Sequence, residues 1–201
     1  MNFFFVITQN QHLTVISVEV FCQTRRELKP DPQIDAVHAI FFTLCRNVTT
    51  SDAHHQSGVF LFNGGNKNNA HATDCEQNQL FRKAGITVEH ERSFSDESTM
   101  LTEFASFVQT LDPDILMGYE VQMLSWGYLI ERSAVLNLNM CHLLSRILTK
   151  DTGPYKDGGG GGAGRNPDNQ QQLVNMTITG RIMLNVWRVM RSEVNSITYI
   201  F

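Results

Sequence analysis

No stretch of this sequence approaches the roughly 18 consecutive apolar residues of a membrane-spanning helix, no Cys-x-x-Cys pair occurs, and basic residues are not in excess. The four cysteines, Cys22, Cys45, Cys75 and Cys141, stand far apart. Zinc and iron–sulfur sites need clustered thiolates, so no metal is assigned to them, and reduced thiols partly packed in a core are expected. Lys and Arg number 16 against 20 Asp and Glu, a net charge of -4. A domain that grips nucleic acid by its phosphates carries a basic face, so autonomous DNA binding is not expected. The start, Met1-Asn-Phe-Phe-Phe-Val-Ile7, resembles a weak secretory leader, but it has no basic n-region, its apolar run is short and no small-residue cleavage site follows. An intracellular chain is expected, in which the sequons Asn47-Val-Thr49 and Asn175-Met-Thr177 carry no meaning.

What is present suits a folded domain. At 201 residues, with 42% hydrophobic side chains, the chain can build one core, with or without a flexible insert. His12 to Cys22 carries Leu13, Val15 and Ser17 on one face and Thr14, Ile16, Val18 and Val20 on the other, which predicts a central strand buried on both faces. Pro30-Asp31-Pro32 breaks the chain as a turn. Val37–Leu44 and Gly58–Phe62 read as further strands, and Gly85–Glu91 as a short one, with a polar loop over 63–79. Leu101, Phe104, Ala105, Val108 and Leu111 fall on one helical face, with Ser95 or Asp96 as cap and Pro113 as stop. A strand over Asp114–Gly118 then feeds a helix from about Leu124 to Leu136, and a further helix covers Met140–Leu148.

Residues 150–173 break this pattern with the run Gly158–Gly162 and the triplet Gln170–Gln172. A phosphate-cradling loop needs a strand before it and Gly-Lys-Ser/Thr opening a helix after it, and neither is present. A disordered insert is expected, dividing residues 1–149 from 174–201. Asn175–Val186 reads as a strand, Trp187–Val194 as a helix, and Ile197-Thr-Tyr-Ile-Phe201 as an unfinished element, so a chain truncated at its C-terminus is expected. His54-His55 is a poor chelating pair, because neighbours on an extended chain point opposite ways, and a solvated loop is expected there. Trp126 and Trp187 sit in apolar helical surroundings, so core packing is expected rather than base stacking.

Three stretches together carry a resemblance. Leu13-Thr-Val-Ile-Ser-Val-Glu-Val-Phe-Cys22, with Pro30-Asp-Pro32 and Asp35 behind it, resembles the first exonuclease motif of B-family DNA polymerases. Asp112-Pro-Asp-Ile-Leu-Met-Gly-Tyr-Glu-Val-Gln-Met-Leu-Ser-Trp-Gly-Tyr-Leu129 resembles the second, and Gly180-Arg-Ile-Met-Leu-Asn-Val-Trp-Arg-Val-Met-Arg191 the approach to the third. The wording Ser-Trp-Gly-Tyr-Leu and Leu-Asn-Val-Trp-Arg is similar to the zeta catalytic subunits among them. The resemblance implies an α/β, ribonuclease-H-like fold: a mixed sheet flanked by helices. Strands first and strand–helix alternation afterwards agree with it.

In active members of this family, carboxylates hold two divalent ions that activate water and neutralise the leaving oxygen. The first motif should read Asp-x-Glu, with both carboxylates on one strand face, but this chain has Glu19-Val20-Phe21. The second should place Asp at the start of its helix, where Ser125 stands, and active relatives carry Asn and Pro at the positions of Glu120 and Gly127. The third, Tyr-x-x-x-Asp, would lie past Phe201. With two of three visible ligands gone, no intact catalytic residue and no metal ligand is assigned. Glu120 is read as a surface or hydrogen-bonded carboxylate. Glu19, in an apolar strand, needs a partner, either a backbone group or Ser125. The resemblance implies a non-catalytic domain of a nuclear translesion polymerase, with primer–template DNA, accessory subunits and the sliding clamp as partners. A parent enzyme would use magnesium, and an iron–sulfur cluster outside this chain. The alternatives are an exonuclease with rearranged ligands, and a gene fragment without function or acting only by interaction.

Overall fold

The computed structural model describes residues 12–46, 54–64, 88–147 and 178–197. The glycine-rich segment 150–173, both sequons, Cys75 and most of the 63–79 loop lie outside these residues. Six strands form one mixed sheet: β1 (Val15–Cys22), β2 (Val37–Arg46), β3 (His54–Phe62), β4 (His90–Phe94), β5 (Ile115–Gly118) and β6 (Ile182–Asn185), in spatial order β4-β3-β2-β1-β5-β6. β1, β2 and β3 form an antiparallel meander, while β5 runs parallel to β1 and β6 parallel to β5. Four helices accompany them among the described residues: α1 (Glu97–Leu111), α2 (Trp126–Val135), α3 (Met140–Leu144) and α4 (Val186–Ile197).

Helix α1 forms where its apolar period demands. Asp96 caps it by accepting the Thr99 N–H at 2.8 Å, and Asp112, in the left-handed region at φ 46°, ends it before Pro113. Met100, Leu101, Phe104, Ala105 and Val108 are buried against Phe42, Phe60 and Trp126. Each such large side chain contributes roughly 1.5–3 kcal/mol by leaving water. Helices α2 and α3 join the same core through Leu129, Ile130, Met140 and Leu144.

Several expectations need correction. The strand β1 is central, but only its Ile16/Val18 face is fully buried, whereas Glu19 and Phe21 on the other face are exposed. His54 and His55 open β3 rather than a loop, because β2 continues far enough to pair Arg46 with His54 and Cys45 with His55. Both imidazoles are exposed, and His55 meets the Cys45 sulfur at 3.8 Å. A short strand is expected over 85–91, of which 85–87 lie outside the described residues; β4 begins at His90, where Gly58 supplies its parallel partner, and runs on to Phe94. Its residues are half-buried or exposed, which leaves little alternation to read. Helix α3 stops at Leu144, where the backbone of Ser145 turns extended at ψ 138°, and the Ser145 hydroxyl donates to the Cys141 carbonyl at 2.8 Å.

Two polar clusters fasten these layers. Arg132 of α2 donates Nε and Nη2 to the two oxygens of Glu97 at 2.9 and 2.8 Å, and the Val37 N–H reaches the same carboxylate at 2.8 Å. The third guanidinium nitrogen of Arg132 donates to the Pro32 carbonyl at 3.1 Å, and the Tyr128 hydroxyl donates to the Asp35 carbonyl at 2.7 Å. Helix α2 thereby holds the Pro30-Asp31-Pro32 turn and the start of α1. In the second cluster, Arg146 binds Asp112 at 2.7 Å and Asp114 at 2.9 Å, while Arg181 binds Asp112 at 2.8 Å. The Arg146 guanidinium holds the Asp112 carboxyl below the usual carboxylate range. The Arg146 N–H donates to the Thr179 carbonyl at 2.9 Å, which joins the residues after α3 to those before β6.

Candidate functional site

The carboxyl ends of the parallel strands β1, β5 and β6 lie side by side, the edge at which open α/β sheets place their chemistry. Glu19 and Phe21 stand on one face of β1, two residues apart. Phe21 is 55% exposed and rests edge-on against His38 at 6.3 Å. Glu19, also open to solvent, accepts the Tyr119 N–H at 2.9 Å, just past the end of β5. Of the two partners expected for it, the backbone group is the one found.

Ser125 is fully buried and faces inward, where its hydroxyl donates to the Val18 carbonyl at 2.8 Å. It presses against Gly118, where an added Cβ would fall 2.3 Å from the Ser125 oxygen. The next turn is equally tight. The Gly127 N–H donates to the Val121 carbonyl at 2.7 Å, and a Cβ there would lie 1.8 Å from the Gln122 oxygen. Proline, the residue expected at that position in active relatives, would lose this hydrogen bond.

Glu120 is hydrogen-bonded, as expected. It accepts the N–H groups of Gln122 at 3.3 Å and Met123 at 2.6 Å, and the Asn185 side-chain amide at 3.1 Å. Both carboxylates at this edge thus act as acceptors that order the β5–α2 turn. Among the described residues no three His, Cys, Asp or Glu side chains come together as a ligand cluster. Neither Cys22, at the end of β1, nor Cys141, in the core, is poised to react: burial pushes both thiols up to about 11.

The two tryptophans divide. Trp126 is in the core and donates its ring N–H to the Met117 carbonyl at 3.0 Å. Trp187, expected in the core, is 44% exposed and tilts against Tyr119, ring centres 6.1 Å apart. Its backbone N–H binds the Tyr119 carbonyl at 2.9 Å, which sets it at the rim rather than inside. Tyr119, Asn185 and Arg188 also belong to this edge; they lie within the stretches that carry the family resemblance, but the sequence reading gives them no site role. Asn185 caps α4 by accepting the Arg188 N–H at 3.2 Å, and Arg188 reaches Gln122 at 2.8 Å. An Asn just ahead of a helical run was the available clue to that cap.

Comparison with known proteins places this geometry. The model of the DNA polymerase family B exonuclease domain matches residues 4–199. The chain belongs to this family. It is 35% identical over 193 residues to the DNA polymerase zeta catalytic subunit of Mus musculus, and 35% identical over 194 residues to that of Homo sapiens. Each match covers 95% of this chain, which spans 6% of either relative. Among solved structures, the family B DNA polymerase of Pyrobaculum calidifontis matches with a TM-score of 0.50 and 19% identity, over 89% of this chain and 16% of that one. The sheet order and this match give a ribonuclease-H-like fold. Within the family, the chain is an exonuclease-like domain of the polymerase zeta type.

Proposed function

We propose that this chain is a non-catalytic exonuclease-like domain, part of a longer polymerase zeta-type enzyme, that helps position template and neighbouring polymerase domains during damage bypass. The observation that carries this reading is the state of the three motif positions. Glu19 is taken up by the Tyr119 N–H, Phe21 brings no oxygen, and Ser125 is buried with its proton on the Val18 carbonyl. These residues do not fit a two-ion site: magnesium prefers a set of oxygen ligands, and this edge offers the single carboxylate of Glu19 at a family ligand position.

An enzyme that extends mismatched or damaged primer ends would otherwise remove its own products, so loss of the exonuclease suits that role. Within the same proposal, the partners are primer–template DNA, the accessory subunits and the sliding clamp, in the nucleus. Magnesium would serve the polymerase module and an iron–sulfur cluster would lie outside this chain. Incubating the purified chain with magnesium or manganese and a 3′-labelled single strand tests the reading. No shortening above buffer is expected. Shortening that disappears in Glu19→Ala would overturn the reading in favour of an exonuclease with rearranged ligands.

A further inference from the structure

Cys45 and His55 face each other at the end of the sheet remote from the Glu19 edge. They are Cα partners on the antiparallel strands β2 and β3, and on its other side Cys45 pairs with Val15, the first residue of β1. The Cys45 sulfur lies 3.8 Å from His55 Nε2. Thr43 and Ser57, the next pair along the same face, bring their hydroxyl oxygens to 3.3 Å. Arg46 and His54 adjoin on the other side, and the pleat turns them to the opposite face. His55 is exposed and Cys45 half-buried, so an ion can reach both from solvent.

Sulfur and imidazole nitrogen are the donors that zinc takes, whereas magnesium and calcium take oxygen. With Zn–S of about 2.3 Å and Zn–N of about 2.0–2.1 Å, a tetrahedral angle sets the two donors about 3.6 Å apart, and a square-planar right angle about 3.1 Å. The observed 3.8 Å lies by the tetrahedral value. We propose that Cys45 and His55 form a zinc site with two protein ligands, its remaining positions filled by water. The Cys45 thiol gives its proton to solvent as the Zn–S bond forms, and the neutral imidazole binds through Nε2, with no change of oxidation state. The Thr43 and Ser57 hydroxyls stand beside the site as partners for zinc-bound water. Two ligands in place of four make it weaker than a structural zinc centre, with a dissociation constant on the order of 10 µM. The site shares no residue with the Glu19 edge, so it is independent of the proposed function.

Titrating the reduced 201-residue chain with zinc chloride, read by calorimetry, and with cobalt(II), read by absorption, tests this. One ion per chain is expected, and cobalt should show a thiolate charge-transfer band with the intense visible bands of tetrahedral coordination. Cys45→Ser should remove that band, and both Cys45→Ser and His55→Ala should weaken zinc binding by roughly ten-fold or more. His54→Ala and Cys75→Ser should leave binding unchanged. In the parent chain, which needs no substitution to fold, zinc at about ten times its dissociation constant should slow alkylation of Cys45 roughly ten-fold. Zinc binding that persists in Cys45→Ser, or Cys45 alkylation that zinc does not slow, overturns the proposal. One ion per two chains also overturns it, in favour of a centre shared between copies.

Discussion

Ser125 and Phe21 show how differently two motif positions can tolerate repair. Ser125 has no exposure, touches Gly118 and spends its proton on the Val18 carbonyl. An aspartate there has no proton to donate when ionised and would bury its charge beside that carbonyl. Ser125→Asp should therefore cost about 2–4 kcal/mol in urea unfolding. Phe21→Glu, on an exposed face, should stay within about 0.5 kcal/mol of the parent. Equal costs for the two would contradict the burial difference on which this argument stands. The identities of the departures at Glu19, Phe21 and Ser125 could be read directly from the motifs. Their environments could not: an apolar strand suggested a buried Glu19, yet the face it occupies is open, and its partner Tyr119 is 100 residues away in sequence.

Among the elements, α2 depends on a buried ion pair that no local pattern announces. Arg132 lies one turn from Tyr128, and both side chains point back to the Pro30–Asp35 turn about 100 residues earlier, while Glu97 opens α1. Removing the guanidinium would strand the Glu97 carboxylate with the Val37 N–H as its remaining partner. Arg132→Met is expected to cost about 3–5 kcal/mol, and adding Glu97→Gln should return more than half of it, since the amide still accepts from Val37. A single-mutant cost under about 1 kcal/mol would show that the pair is not holding α2 to α1. Element identity itself came through the sequence well where the period was strong: all five residues expected on the inner face of α1 line the core or its edge. Strand β3 was recognised over Gly58–Phe62 but its start at His54 was not, and β4 was misplaced, because exposed residues there carry little alternation and pairing with a neighbour sets the boundary.

The whole molecule closes on itself at Arg146. Its N–H meets the Thr179 carbonyl and its guanidinium bridges Asp112 and Asp114, so the residues that flank the 148–177 stretch are pinned together. Replacing residues 150–173 by a short Gly-Ser bridge should leave the fold intact. Shortening a loop to about a third of its length also lowers its closure entropy by roughly 1 kcal/mol, enough to raise Tm by about 2–4 °C. Calorimetry of the shortened protein checks this. A drop of more than about 5 °C, opposite in sign to the loop-closure gain, would mean that the removed residues contribute to the core.

The order of the three motifs, the strand-then-helix alternation and the period of α1 were enough to assign family and fold class, because each depends on residues close together in the chain. The same residues showed which carboxylates are missing, since a phenylalanine or a serine cannot become one. Which face of β1 stays open, which amide captures Glu19, how deeply Ser125 is buried and that Trp187 lies at the rim were decided only in three dimensions. Exposure and hydrogen-bond partnership at these positions are set by segments up to 107 residues away, and no local period records which of them arrives.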